Sequence, residues 1–123
     1  MTKVLYAPLA VGRHVDHQLV LQVALQLRRQ GWPLGFYEDY PYAGDPQQLA
    51  WARQSWASPP SPTLVRLSAE DLAARIAAIR CYASQLPNLF GGRAAVAGRV
   101  KTYALTVGAG DDYAERYWRG GRP

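Results

Sequence analysis

Hydrophobic and polar positions along the chain alternate between short apolar runs and longer segments with helical spacing. The short runs are bounded by proline, glycine or charged residues, as strands commonly are. One further segment near the end of the chain alternates apolar and polar residues, which also favours a strand. The strands predicted in this way cover residues 4–7, 34–37, 63–66 and 113–118.

Between these strands, the spacing of apolar residues and the helix-start signals predict helices. In the first helix the apolar residues recur at i, i+3, i+4 and i+7, and Asp16 stands at the N-cap position. Asp45-Pro46 opens the second helix, and Ser68 to Asp71 resembles a capping box that opens the third. The predicted helices cover about 16–30, 45–56, 69–86 and 94–107, the last of these fitting a helix or a strand, with a helix preferred.

The third helix has two apolar stripes, which suggests packing on more than one side. One face of the helix carries large apolar residues, and another carries alanines and ends at Cys81. The small residues of the second face permit close approach to a neighbour. Cys81 is therefore predicted to be a small buried residue. The proline-rich stretch 58–62 and the glycine-containing stretch 88–92 are predicted to be loops.

Strands that alternate with helices indicate an α/β fold with a largely parallel sheet. A chain of 123 residues is long enough for one domain and too short for two, so residues 1–123 are predicted to form a single domain. Its 49% hydrophobic content supports a core and excludes a disordered tail.

Composition excludes several other classes of protein. The single cysteine cannot pair within the chain, and no apolar run reaches the roughly 18 residues that span a bilayer. No leader is apparent at Met1 to Val4, so a cytoplasmic location is expected. The net charge of +5 would suit a nucleic acid or another polyanion, but the arginines are scattered and no nucleic-acid motif is present. An ordinary solvated surface is the preferred interpretation of this charge.

Both histidines of the chain lie in one short motif, His14-Val15-Asp16-His17, between a predicted strand and a predicted helix. Ligand sites of α/β proteins form at the carboxyl ends of strands, where this motif falls. A neutral imidazole can bind zinc, and a carboxylate can orient such an imidazole. The structural alternative is that Asp16 caps the helix between two ordinary loop histidines. Two histidines do not complete a catalytic zinc site, which usually has three protein ligands.

The segment from Val4 to His17 resembles the second conserved block of the LmbE-like (PIG-L) deacetylases. Further stretches fit the same family in the same order, so the resemblance extends over nearly the whole chain. They are Phe36–Tyr42, Tyr82–Gln85 with Leu89–Gly91, and Ala114–Trp118.

The resemblance implies a Rossmann-like fold and a zinc-dependent hydrolase that removes the acetyl group from N-acetylglucosamine-type sugars and related conjugates. It implies that His17 binds zinc and that His14 stabilises the oxyanion or protonates the leaving amine. It implies that Asp16 orients the site. In such chemistry zinc activates water and polarises the amide carbonyl, while a cationic imidazole stabilises the tetrahedral intermediate.

Residues after the second predicted strand and at the end of the third predicted helix are candidates for binding the sugar. Aromatic faces pack on sugar rings, and carboxylates accept hydrogen bonds from sugar hydroxyls. A turn with surface acids, and a glutamine that caps its helix, are the structural alternatives. The substrate-binding candidates are Glu38, Asp39, Tyr40 and Gln85.

The first conserved block of the family, with a His-Pro-Asp-Asp-like motif that carries two more zinc ligands and the general base, has no counterpart here. The fold and the zinc site are therefore expected to be incomplete relative to the family. The chain is interpreted as the C-terminal portion of an N-deacetylase. It would be a fragment, one half of a split enzyme, or a catalytically silent remnant that acts as an interaction module.

A self-sufficient enzyme is the least favoured alternative. It would need Asp39, Glu38 or Glu115 to replace the absent ligands, or a second copy to share a site. Loss of leading strands would leave an unpaired sheet edge and exposed apolar faces, which invite another chain. A homo-oligomer or a complementing chain is expected for this reason. The expected small-molecule partner is an N-acetylated sugar, and neither a membrane nor a nucleic acid is expected.

Overall fold

Strands and helices alternate along the chain in a computed structural model that describes residues 3–122. Met1 and Thr2, which open the segment considered as a leader, lie outside the described residues, as does Pro123. The α/β class predicted from the sequence is confirmed. The strands are β1 (Leu5–Pro8), β2 (Leu34–Tyr37), β3 (Ser61–Arg66) and β4 (Ala114–Arg119). The helices are α1 (Val15–Arg29), α2 (Pro46–Gln54), α3 (Ala69–Arg80), α4 (Leu86–Phe90) and α5 (Val96–Val107).

The strands form one sheet in the order β1-β2-β4-β3. β1 and β2 are parallel, with Ala7 opposite Phe36, as expected for a strand-helix-strand unit. β4 is antiparallel to β2, with Trp118 opposite Phe36, so the sheet contains pairings of both kinds. The carboxyl ends of β1 and β2 therefore lie side by side at one edge of the sheet.

The chain divides into two compact units. The first comprises residues 1–63 and 116–123, and the second comprises residues 64–115. The expected single domain over residues 1–123 stays a prediction.

The core of the first unit consists of residues from β1, β2, β4 and α2, together with the loop after β1. Phe36 is fully buried, and its ring packs edge-on against Trp56 at a centroid distance of 5.0 Å. Arg28 of α1 donates to the carbonyl oxygens of Gly120 and Gly121, which joins this helix to the segment after β4.

The second unit is built around the packing of α3 on α5. The predicted capping box is present: Ser68 accepts a hydrogen bond from the Asp71 amide at 3.0 Å, and the Asp71 carboxylate accepts one from the Ser68 amide at 2.8 Å. The predicted helix over 94–107 is confirmed as α5 with a preceding 3-10 turn. The buried residues of the two helices are Leu72, Ile76, Val96, Val100, Ala104 and Val107.

Several local predictions were wrong, and proline accounts for two of them. The helix predicted to reach residue 86 ends at Arg80, and a new short helix starts at Leu86. Pro87 has no amide hydrogen and is tolerated in a first helical turn, so α4 replaces the predicted loop at 88–90. Ser61 and Pro62 belong to β3 rather than to a loop, because an edge strand tolerates proline.

Two further predictions, on the burial of Cys81 and on the cap of α1, were also wrong. Cys81 is exposed rather than buried, and so are the alanines of its stripe, Ala74, Ala77 and Ala78. The N-cap of α1 is His14, which has an extended backbone, so Asp16 lies in the first turn and does not cap the helix. A carboxylate in a first turn still interacts favourably with the helix dipole. None of the helices formed by residues 3–122 has the length and apolar character needed to cross a membrane.

Candidate functional site

The turn between β1 and α1 places the histidine motif at the carboxyl end of the sheet. The Leu9 amide still donates to Tyr37 of β2, at 2.9 Å, and the backbone then turns sharply. Three residues of this turn have positive φ: Ala10 at 64°, Gly12 at 86° and Arg13 at 58°. Left-handed conformations at residues other than glycine are strained and persist only where the surrounding structure imposes them. The turn ends at His14, and His17 follows in the first turn of α1.

The main interaction of the site joins this motif to the residues after β2. His17 Nδ1 lies 2.6 Å from Asp39 Oδ2. The Asp39 side chain is fully buried, whereas the His17 side chain keeps 36% of its surface exposed. The imidazole is thus held at Nδ1 by a buried carboxylate, while about a third of its side chain stays exposed.

Asp39 also holds the backbone of the turn. Its Oδ1 atom accepts a hydrogen bond from the Val11 amide at 3.2 Å. Burial raises the pKa of the Asp39 carboxyl above its usual value, while the hydrogen bonds from His17 and Val11 act in the opposite direction. One carboxylate therefore fixes both the turn before His14 and the ring of His17.

His14 and Tyr42 complete the cluster around His17. The ring centroids of His14 and His17 are 5.4 Å apart, and the Tyr42 ring lies 5.8 Å from the first and 6.2 Å from the second. Tyr42 reaches this position because Gly12 lacks a side chain. A Cβ atom at Gly12 would lie 2.8 Å from Cγ of Tyr42. The close approach and the positive φ both require glycine here.

The other acidic candidate, Glu38, faces β4. Its carboxylate accepts hydrogen bonds from Nε of Arg116 and, at 2.9 Å, from Nε1 of Trp118. Only 5% of its side chain is exposed. The carboxylates of Glu38 and Asp39 are thus engaged in hydrogen bonds inside the first unit, and their contacts with a sugar stay predictions.

The remaining candidates differ in their placement. Tyr40 is half-buried in the segment after β2. Gln85 is exposed in a 3-10 turn of the second unit, where its side chain donates weakly to Ser84 at 3.4 Å. Asp16 is exposed in the first turn of α1. The structure therefore brings together His14, His17 and Asp39, and the substrate contacts stay predictions.

The described side chains do not fit a complete zinc site. Among residues 3–122, no three histidine, cysteine or carboxylate side chains are grouped so that they could hold a metal ion. His17 fits as one ligand, because a buried acceptor at Nδ1 is the usual support of a metal-binding imidazole. A catalytic zinc usually takes three protein ligands, so the others would come from outside the described residues.

The sequence did not indicate the pairing of His17 with Asp39, which are 22 positions apart. A signal for it was present, because each residue follows one of two neighbouring parallel strands. Residues in such positions meet at the same edge of a sheet. The roles of Gly12 and Tyr42 had no comparable signal.

Comparison with known proteins supports the resemblance drawn from the motifs. No family model matches the chain. It is 32% identical over 82 residues to the 2'-N-acetylparomamine deacetylase of Niallia circulans, an alignment that covers 67% of this chain and 27% of that protein.

Solved structures of deacetylases share the fold. The A40926 pseudoaglycone deacetylase Dbv21 superposes with a TM-score of 0.71 and 24% identity, over 94% of this chain and 48% of that one. The zinc-inhibited form of the teicoplanin deacetylase Orf2 superposes with a TM-score of 0.73 and 22% identity, over 94% of this chain and 43% of that one. The chain thus spans less than half the length of these structures. The resemblance to deacetylases of this type is confirmed.

Proposed function

We propose that this chain, which is related to the LmbE-like deacetylases, provides the C-terminal part of a zinc-dependent N-deacetylase that acts on an N-acetylated amino sugar or its conjugate. The observation that carries the proposal is the His17–Asp39 pair at the carboxyl end of β1. Its two residues lie in two of the stretches that carry the family resemblance, Val4–His17 and Phe36–Tyr42, and its geometry is that of a supported metal-binding histidine. The sugar deacetylase relative supports the substrate class.

Three side chains of this chain have distinct roles in the proposed hydrolysis. His17 would offer Nε2 to zinc. His14, whose ring lies 5.4 Å from that of His17, would face the reacting amide, and as an imidazolium it would stabilise the oxyanion or protonate the leaving amine. Asp16 keeps its proposed role of orienting the site, but not at the Nδ1 edge of His17, where Asp39 lies. Tyr40 and Gln85 stay the proposed substrate contacts.

The proposal requires ligands and a general base from another polypeptide segment, because the described side chains do not complete a zinc site. The surface of the first unit has features suited to such a segment. β1 lies at an edge of the sheet formed by the described strands, and an edge strand can pair with another strand. α1 exposes large apolar side chains beside it, namely Val15, Leu19, Val20 and Val23.

A chimeric enzyme tests the catalytic proposal. In the Niallia circulans deacetylase, the segment that corresponds to this chain is replaced by residues 1–123, so that the relative provides the rest of the fold. We expect the folded chimera to release acetate from 2'-N-acetylparomamine. His17→Ala and His14→Ala should each lower kcat/KM by at least about 100-fold. Gln48→Ala, an exposed change on α2 outside both the motif and the apolar face of α1, is the matched control and should leave activity unchanged.

The outcome that would overturn the proposal is a folded chimera that binds zinc and has no deacetylase activity. A chimera that stays active after His17→Ala would equally overturn the role assigned to His17. Far-ultraviolet circular dichroism and the sedimentation coefficient establish that the chimera and its variants are folded before activity is compared.

The uncharged face of α1 favours a second candidate function, that of an interaction module without catalysis. No lysine, arginine, aspartate or glutamate occurs from residue 17 to residue 27. A solvent-facing helix normally carries charges on its outer side, whereas large exposed apolar patches mark interfaces. Stable binding of another polypeptide with no zinc uptake by the resulting complex would favour this candidate over the enzyme.

A further inference from the structure

One buried carboxylate links the backbone of the turn after β1 to the ring of His17. We propose that Asp39 is a positioning residue, which holds the neutral His17 imidazole in the Nδ1–H tautomer and directs the Nε2 lone pair outward. The inference concerns the same site as the proposed function. It depends on that function only for the identity of the group that Nε2 binds. It concerns a residue that its position after the second predicted strand made a candidate for binding the sugar.

The first step of the argument is the hydrogen-bond inventory of Asp39. The Val11 amide can only donate, so Asp39 Oδ1, 3.2 Å away, must accept. An ionised carboxylate accepts at both oxygens, so Oδ2 also needs a donor. The atom at 2.6 Å from Oδ2 is His17 Nδ1, and it satisfies Oδ2 when it carries the ring proton.

The second step follows from the imidazole itself. A neutral imidazole carries one proton, so a proton on Nδ1 leaves a lone pair on Nε2. The Nδ1 edge lies against a fully buried carboxylate, while 36% of the His17 side chain is exposed. The edge of the ring away from the carboxylate therefore bears the lone pair, as binding of an electron-pair acceptor such as zinc requires.

The third step separates Asp39 from Asp16. Asp16 is next to His17 in the first turn of α1, and adjacent residues on a helix do not face each other. Asp16 is exposed, whereas Asp39 is buried and linked to two partners. The two carboxylates can therefore be told apart by matched Asp→Asn substitutions.

The tautomer of His17 in the purified chain is measured by ¹⁵N NMR in alkaline buffer without metal. We expect the Nδ1–H form in the wild-type chain and in Asp16→Asn. In Asp39→Asn the asparagine oxygen still accepts the hydrogen bond from the Val11 amide. The NH₂ group of the asparagine therefore points towards His17. That group donates to Nδ1, so the variant should shift to the Nε2–H form.

A wild-type chain whose neutral His17 is in the Nε2–H form would overturn the inference, and this measurement does not depend on any variant folding. A folded Asp39→Asn variant that keeps the Nδ1–H form would overturn it as well. A change of tautomer in Asp16→Asn would transfer the role to Asp16 and have the same effect.

Zinc binding gives the second measurement, with zinc chloride titrated into the same three proteins. We expect Asp39→Asn to weaken binding at His17 by about 10–100-fold, and Asp16→Asn to weaken it by less. An equal affinity in wild type and Asp39→Asn would overturn the positioning role. Absence of any zinc response at His17, with the Nδ1–H tautomer intact, would contradict the proposed function and leave the tautomer assignment standing.

Discussion

At the scale of single residues, the site depends on one glycine that no other residue replaces well. Gly12 has a φ of 86°, and a Cβ atom there would lie 2.8 Å from Tyr42. We expect Gly12→Ala to lower the free energy of unfolding by about 1–3 kcal/mol, because both backbone strain and a clash follow from it. Urea denaturation monitored by tryptophan fluorescence measures the effect.

Gly98 provides the matched control for this substitution. It lies inside α5 without positive φ, and a Cβ atom there would meet no atom within 4 Å. Gly98→Ala should therefore raise the free energy of unfolding by about 0.5–1 kcal/mol, since alanine is the better helix former. If both substitutions changed stability in the same direction, the account of the turn at Gly12 would be wrong.

The residue scale also shows which parts of the site a sequence can reveal. His14, Asp16 and His17 form a contiguous motif, and the structure places them where the argument from strand ends expected them. Asp39 was a candidate for binding the sugar, and the structure shows that its carboxylate is buried and paired with His17. A contact between residues 22 positions apart depends on the parallel pairing of β1 with β2, so strand ends indicate which residues are near each other but not which side chains pair.

At the scale of elements, the capping box of α3 predicts a pH dependence of stability. Hydrogen bonds from the backbone amide and the hydroxyl of Ser68 lower the pKa of the Asp71 carboxyl. The folded state therefore holds the Asp71 proton less tightly than the unfolded state. Its contribution is fully present above the unfolded pKa of about 3.9 and is lost as the pH falls through the lower folded pKa.

Comparison of wild type with Asp71→Asn tests this dependence. The stability difference between the two proteins should be larger at neutral pH than in strong acid, because protonation removes the charge that the variant already lacks. Guanidinium denaturation at the two pH values provides the measurement. A difference that stays constant with pH would contradict the assignment.

The exposed face of α1 predicts an effect of charge on association. Val20 is 51% exposed, so Val20→Glu should change the free energy of unfolding by no more than about 0.5 kcal/mol. The same change should reduce the concentration-dependent association of the chain, because it places a charge in an apolar interface. Sedimentation velocity over a range of protein concentrations measures association.

Leu64, which is 54% exposed on β3, gives the control position for this prediction. If Leu64→Glu reduced association as much as Val20→Glu, the effect would not be specific to α1. A wild-type chain that stays monomeric at every concentration would contradict the proposed interface more directly.

The elements were predictable to different degrees, for physical reasons. Start signals that rest on local hydrogen bonds, such as Asp45 before α2 and Ser68 before α3, occur as predicted. The end of α3 was not predicted. The helical spacing of apolar residues continues past Arg80, whereas the helical backbone ends there. The alanine stripe that ends at Cys81 has helical spacing, but spacing alone does not indicate whether a face is covered.

At the scale of the whole molecule, the α/β class and the relationship to deacetylases were both accessible from the sequence. The class follows from the alternation of strands and helices, and the relationship follows from motifs in a conserved order. The antiparallel placement of β4 was not accessible, because strand direction depends on the path of the intervening chain. The division into two compact units had no signal in composition.

The central claim is that this chain carries one part of a metal-dependent site, with His17 as its ligand. Zinc titration of the purified chain tests it most directly, with bound zinc measured at equilibrium, the imidazole resonances of His14 and His17 followed by NMR, and His17→Ala titrated in parallel. The account predicts weak binding at Nε2 of His17, no stoichiometric uptake at micromolar zinc, and loss of the response in the variant. Tight binding of about one zinc per chain would contradict it, because three ligands would then be present. Absence of any zinc response at His17 would also contradict the claim, because His17 would then not be a metal ligand.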